Sequence, residues 1–247
     1  LNNHLGVPLS VLATPADAAF AVIEIGTNHP GEVAGLAACV APEVALVTSI
    51  GPEHLAGFGD LAGVTSEECS VFTALPADGR AFMGLHGLSG HTDAQGLRAL
   101  TAIARAAAGS RPLTLLDDTE ISTGCADLAV SGVVGELSVR LDTAHGSCEI
   151  TLLGAHNLAN GALAFHAAVA AGVTPAQALA GLSCAQPVAG RLVPRTVGAH
   201  LVLDDTYNAN PDSMQAAIEV LAELPGPRLL VMGDMGEVGD QGARFHA

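Results

Sequence analysis

Carboxylates, amides and arginine gather in short polar clusters that each follow an apolar run. The first is Glu24, at the end of AVIEI, with Asn28, His29, Gly31 and Glu32 close behind. A second apolar run, VALVTSI, leads into Gly51-Pro52-Glu53-His54. If the two runs are neighbouring parallel strands, Glu24 and His54 share the carboxyl edge of one sheet, where α/β proteins bind ligands, and a shared metal ion becomes available to them. A strand-terminal acid and a hydrogen-bonded structural histidine leave the same pattern, and Mg2+ prefers oxygen donors.

Three further clusters are candidates for binding polar or anionic groups. GAHNLAN (154–160) opens a helix, where free N–H groups favour anions, and Asn157 and Asn160 lie three apart on one face. Capping by His156 or Asn157 is the structural alternative. Arg191, in VAGRL, offers a guanidinium able to grip a phosphate, or to form an interdomain ion pair. The run DDTYNANP (204–211) follows an apolar stretch and holds the single tyrosine, Tyr207; so polar a loop at a strand end reads as functional. GDMGEVG (233–239) allows close backbone approach, but neither GxGxxG nor GxxxxGK[ST] occurs in the 247 residues.

The elements that must carry these clusters follow from periodicity. Short Val- and Ile-rich runs alternate with Ala-rich stretches of helical length, the pattern of an α/β fold with a mostly parallel sheet covered by helices. Strands are expected at 20–25, 44–50, 80–85, 200–206 and 227–233. A β-hairpin is expected between 137 and 153, where LSVRLDT and CEITLL flank Ala-His-Gly. Helices are expected over 156–171, stopped by Gly172, and 174–182, with Thr174 as N-cap and Pro175 as first residue. Two prolines and two glycines between 186 and 199 mark a domain boundary near 194–199, dividing 1–196 from 197–247. The second part reads as strand, helix and strand with uncovered sheet edges, the expected look of a truncated domain.

Composition narrows the classes. Apolar residues make up 49% of the chain and charged ones 14%, yet no apolar stretch approaches the roughly 18 to 20 residues that span a bilayer, so a soluble chain is expected. A net charge of −16 speaks against nucleic acid as a partner. All nine basic residues are arginine, so the chain itself supplies no ammonium and no lysine carbamate. Five cysteines without CxxC spacing suggest neither a zinc knuckle nor a disulfide framework, and a reducing cytoplasm is the expected setting. The sequence opens at Leu1 without a start methionine or signal region, and residue 1 is expected not to be a natural beginning.

Taken in order, Asn2-Asn3 with Gly6-Val7-Pro8, EIGTNHPGE (24–32), IGPEHLAGFG (50–59), GAHNLAN, GRLVP (190–194), DDTYNANPDSM (204–214) and MGDMGEVG (232–239) resemble the Mur ligase family. NHPGE and DDTYNAN resemble its D-alanyl-D-alanine-adding branch in particular. The resemblance runs along nearly the whole chain and is weakest between about 84 and 150. It implies the central ATP-binding domain without its first βα unit, plus the start of a Rossmann-like C-terminal domain. It implies a monomeric cytoplasmic ligase of peptidoglycan precursor synthesis, using ATP and Mg2+ to join D-alanyl-D-alanine to UDP-N-acetylmuramoyl-tripeptide through an acyl phosphate, with no membrane insertion.

By that resemblance Glu24 and His54 would hold Mg2+. Asn157, Asn160, Arg191, Asp205, Tyr207 and Asn208 would line the nucleotide site, with Arg191 on the γ-phosphate and Asp205 on the ribose. Asn2, Asn3, Asn28, His29 and Asn210 would face the substrates. The departures are as specific. The family's Gly-Lys-Thr phosphate loop would lie before Leu1. Glu68, four residues before Phe72, stands where the family carries a carbamoylated lysine. The family's Asn-Ala-Asp-Asp turn is here Gly84-Leu85-His86-Gly87. A non-catalytic relative that binds nucleotide or a partner, and a ligase adding another amino acid or glutamate to a folate, are the alternatives. No turnover is expected of the 247 residues alone.

Overall fold

The computed structural model describes residues 2–52, 55–116 and 130–235. They belong to two compact units, Leu1–Leu115 and Leu116–Ala247. In the first, β1 (Val44–Val47) pairs in parallel with β2 (Arg80–Gly84), Val44 opposite Arg80, and β3 (Leu113–Leu116) completes a sheet of order β1-β2-β3. Helices α1 (Gly6–Ala13) and α2 (Glu32–Val40) precede the sheet; α3 (Leu55–Phe58), α4 (Leu61–Cys69) and a 3-10 turn over Ser70–Ala74 connect β1 to β2, and α5 (Ala94–Ala108) connects β2 to β3.

The start of α4 is fixed by Asp60, which accepts the Gly63 N–H at 2.9 Å, and that of α5 by Asp93, which accepts from Gln95 and Gly96. Each cap contributes about 1 kcal/mol by satisfying first-turn donors. Ala45, Val47, Ala81 and Met83 from the strands pack with Val64, Cys69, Phe72, Leu100 and Ala104 into one core. Truncating the fully buried Phe72 to alanine would cost about 3–5 kcal/mol.

The second unit contains an antiparallel meander of β4 (Val130–Val134), β5 (Val139–Thr143) and β6 (Gly146–Ile150). The expected hairpin is β5–β6, tightened to the two residues Ala144 and His145. Val139, Leu141, Cys148 and Ile150 form its inner face and bury against α6 (Ala155–Ala170) and α7 (Pro175–Ser183). The two helices agree with the sequence signals: Gly172 takes φ +94 just beyond α6, and Thr174 and Gln177 form a capping box at α7.

Beyond α7, β7 (Val193–Val197) turns back through Gly198 onto β8 (His200–Asp204), antiparallel, and α8 (Pro211–Glu223) follows. Within the stretch 186–199, whose prolines and glycines marked the expected boundary, residues 193–197 are strand: Gly198, at φ +61, makes a tight turn that lets them pair with β8. Two expected strands are corrected. Residues 20–25 and 227–233 form no strand, because among the described residues no neighbour supplies a ladder, and Val22, Leu229 and Val231 stand 97%, 82% and 86% exposed. A β-branched run becomes a strand only when another strand takes its hydrogen bonds.

Candidate functional site

In the first unit the chemistry centres on the loop 26–33. Asn2 Nδ2 donates to Glu24 Oε1 at 2.9 Å, and the Asn2 carbonyl accepts the Gly26 N–H at 2.8 Å. Glu24 is therefore held at the surface by Asn2, in a segment without regular secondary structure instead of at a strand end. Asn3 Oδ1 accepts from the Leu5 and Gly6 N–H groups and starts α1. His54 lies outside the described residues. Among the described residues no group of three or more His, Cys, Asp or Glu gathers as a metal cluster.

Asn28 and His29 are exposed, but the backbone beneath them is fixed. Glu32 Oε2 accepts the N–H groups of Asn28 (2.8 Å) and His29 (3.1 Å) and the Thr27 hydroxyl. Those two backbone hydrogen bonds hold the Glu32 carboxyl below its usual value of 4.5. Glu67, from α4, accepts the Gly31 N–H at 2.7 Å through Oε2 and the Val33 N–H at 2.9 Å through Oε1. The sequence reading missed Glu67. A signal was present: Glu67 falls three residues after Val64, on the buried side of α4, whereas Glu68 next to it is only half-buried.

In the second unit, α6 begins at Gly154, at φ +90, and no side chain caps it. Asn157 Nδ2 instead donates back to the Leu153 carbonyl at 2.8 Å and lies 3.0 Å from His156 Nε2. Capping therefore does not account for this polar run. Asn160 Oδ1 is buried without a hydrogen-bond partner. Leu153, just before α6, shares a small core with Leu192, Leu203, Ala217 and Val220, which packs the approach to α6 against the residues beside Arg191.

Arg191 is built into a clip. The Gly190 carbonyl accepts the Tyr207 N–H at 3.0 Å, and Asp205 Oδ1 accepts the Leu192 N–H at 3.0 Å. Gly190 and Leu192 both take positive φ, +75 and +48, and a Cβ on Gly190 would meet the Tyr207 backbone at 3.0 Å. Between these bonds the exposed Arg191 guanidinium lies 4.3 Å from the Tyr207 ring centroid, a cation–π stack that restrains a long side chain. Asn208 Oδ1 accepts the Ala209 N–H, and Asn210 caps α8 through the Ser213 N–H. Arg191, Asp205 and Tyr207 are therefore brought together.

Comparison with known proteins agrees with this order of clusters. Residues 1–168 match the Mur ligase middle domain, and residues 190–247 match the Mur ligase, glutamate ligase domain. The chain is 36% identical to the UDP-N-acetylmuramoyl-tripeptide--D-alanyl-D-alanine ligase of Escherichia coli (strain K12), over 100% of this chain and 53% of that protein. The crystal structure of MurF from Acinetobacter baumannii superposes with TM-score 0.84 at 33% identity, covering 99% of this chain and 51% of that one. The MurF ligase of Thermotoga maritima in complex with ADP shares the fold, at TM-score 0.72 and 21% identity, covering 97% of this chain and 58% of that one. The chain spans about half the length of the curated relatives it matches.

Proposed function

The chain belongs to the Mur ligase family, and from that premise we propose that it forms part of an ATP-dependent ligase that joins D-alanyl-D-alanine to UDP-N-acetylmuramoyl-tripeptide in cytoplasmic peptidoglycan precursor synthesis. In that reaction the tripeptide carboxylate takes the γ-phosphoryl group of ATP and ADP leaves. The amine of D-alanyl-D-alanine then attacks the acyl phosphate and phosphate leaves. On this reading residues 1–196 form the central domain and 197–247 begin the C-terminal one.

The clip that holds Arg191 over Tyr207 carries the reading. A guanidinium ordered before the nucleotide arrives can meet the γ-phosphate with little further loss of side-chain freedom. Asp205, tied to the Leu192 N–H, meets the ribose, and Asn208 lies beside it. Asn157 and Asn160 line the nucleotide side at the uncapped start of α6, with the buried Asn160 Oδ1 available as an acceptor. Asn2, Asn3, Asn28, His29 and Asn210 take the substrate side, Asn3 and Asn210 also serving as helix caps.

Mg2+ fits Glu24 in donor chemistry: a nucleotide-bound Mg2+ needs only one or two protein carboxylates, and Asn2 already orients this one. Glu24 and His54 would hold the ion, and when bound it neutralises charge on the transferring phosphoryl group. Glu68 supplies a negative charge at the family's carbamoylated-lysine position, on a shorter stem.

Tyr207 provides the test, because the chain has one tyrosine and no tryptophan. ATP is expected to change tyrosine fluorescence saturably, and Arg191→Ala to weaken that affinity by about tenfold or more, the scale of one lost hydrogen bond from a charged donor. A linear response to ATP, or equal affinity in Arg191→Ala, would contradict the assignment.

A further inference from the structure

Glu67 is the one buried carboxylate among the described residues, 8% exposed, and nothing in the reaction outlined above uses it. Two backbone N–H groups converge on it from a segment more than thirty residues away, those of Gly31 and Val33, while the Thr27 hydroxyl, closer to the His29 carbonyl at 3.0 Å and to Glu32 at 3.3 Å, lies 3.5 Å from it. Gly31 is the N-cap of α2 and Val33 its second residue, so the carboxylate also sits at the positive end of that helix. Neither of these backbone donors is a cation, and an ionised carboxylate is stabilised when two or more N–H groups point at it.

The consequence falls on Asn28 and His29. Their side chains are exposed while the backbone on one side of them is held by Glu32, from within the loop. Glu32 is itself the first residue of α2, so its grip is only as rigid as the placement of that helix start. Glu67 fixes that start to α4, whose Val64, Cys69 and following Phe72 are core residues. Two carboxylates thus act in series: Glu32 shapes the loop, and Glu67 anchors the shaped loop to the sheet-covering helix.

We propose that Glu67 is a positioning residue that holds Asn28 and His29 in the geometry that binds the UDP-muramoyl peptide, acting through the Gly31 and Val33 amides without touching substrate. This rests on the ligase reading for the identity of the substrate and on the hydrogen bonds alone for the clamp. Glutamine at this position keeps size and one acceptor oxygen but turns an NH2 group toward an N–H donor, so one of the two backbone bonds must be lost.

The test compares wild type with Glu67→Gln, and with Glu67→Ala where that variant folds, in the chain as its gene encodes it. Amide hydrogen exchange at Gly31 and Val33 is expected to be slow in wild type and at least about tenfold faster in Glu67→Gln. Steady-state ligation is expected to show KM for UDP-N-acetylmuramoyl-tripeptide raised about tenfold to a hundredfold, with KM for ATP within about twofold, the mark of a displaced contact loop instead of general destabilisation. Unchanged exchange would overturn the clamp. Faster exchange with an unchanged precursor KM, or with both KM values raised together, would overturn the positioning role. If wild type ligates nothing, the ligase reading falls and takes the substrate half of the proposal with it, while exchange still decides the clamp.

Discussion

Glu32 and Glu67 accept hydrogen bonds from four backbone N–H groups and a hydroxyl, and that convergence lets two acids sit side by side at one helix start. The Glu32 carboxyl is lowered, so the stability it lends is present above the usual 4.5 and lost as pH falls through its lowered value; the loop is expected to hold at neutral pH and loosen only in strong acid. A different residue-scale consequence concerns the thiols. Burial, and then the negative charge of Glu68, pushes Cys69 up to about 12, while Cys39 and Cys184 are exposed. Iodoacetamide at pH 7.5, read by peptide mass spectrometry, is expected to label Cys39 and Cys184 and to spare Cys69 until the chain is unfolded. Labelling of Cys69 as fast as Cys39 would contradict its buried placement. At this scale the clusters around Arg191 and Asn28 were legible in the sequence because polar residues were concentrated after apolar runs. For Glu67 only its place on the buried side of α4 was legible; what it holds was not, because its partners, the Gly31 and Val33 amides, lie thirty-odd residues away.

Helix α6 shows what an element contributes beyond its ends. Its inner face carries Ala162 and Phe165 into the core with β5 and β6, and His166 is buried beside Phe165, their rings edge to face at 5.6 Å. Burial pulls His166 down from 6.5 to about 4. The unfolded chain therefore takes up a proton below about 6.5 that the folded chain refuses until about 4, and stability falls as pH drops through that window. Between pH 7.5 and pH 5 the loss is roughly 2 kcal/mol. In urea unfolding followed by circular dichroism, His166→Leu is expected to show a smaller drop over this range; an identical drop would assign the acid sensitivity to other groups. Helices α6 and α7 and the β5–β6 hairpin were legible because caps, prolines and turn residues are local signals. The strands expected at 20–25 and 227–233 were misread for the converse reason: apolar content shows that a segment could pair and says nothing about whether a partner strand is at hand.

At the scale of the whole molecule, the family was legible because seven clusters occur in a fixed order, each weak alone, and the comparisons agree along the full chain. The charge of −16 is a condition that the proposed nucleotide site would have to work against. Within these 247 residues the nine basic side chains are all guanidiniums, which suit bidentate contact with phosphate or carboxylate oxygens. Among the described residues no helix is long and apolar enough to cross a membrane.

Whether these residues serve D-alanyl-D-alanine ligation is read from phosphate release by the protein as its gene encodes it. Release is predicted to require ATP, UDP-N-acetylmuramoyl-tripeptide and D-alanyl-D-alanine together, with single amino acids and folates failing to replace the dipeptide. Release supported equally by a single amino acid or a folate, or none with all three substrates present, would contradict it.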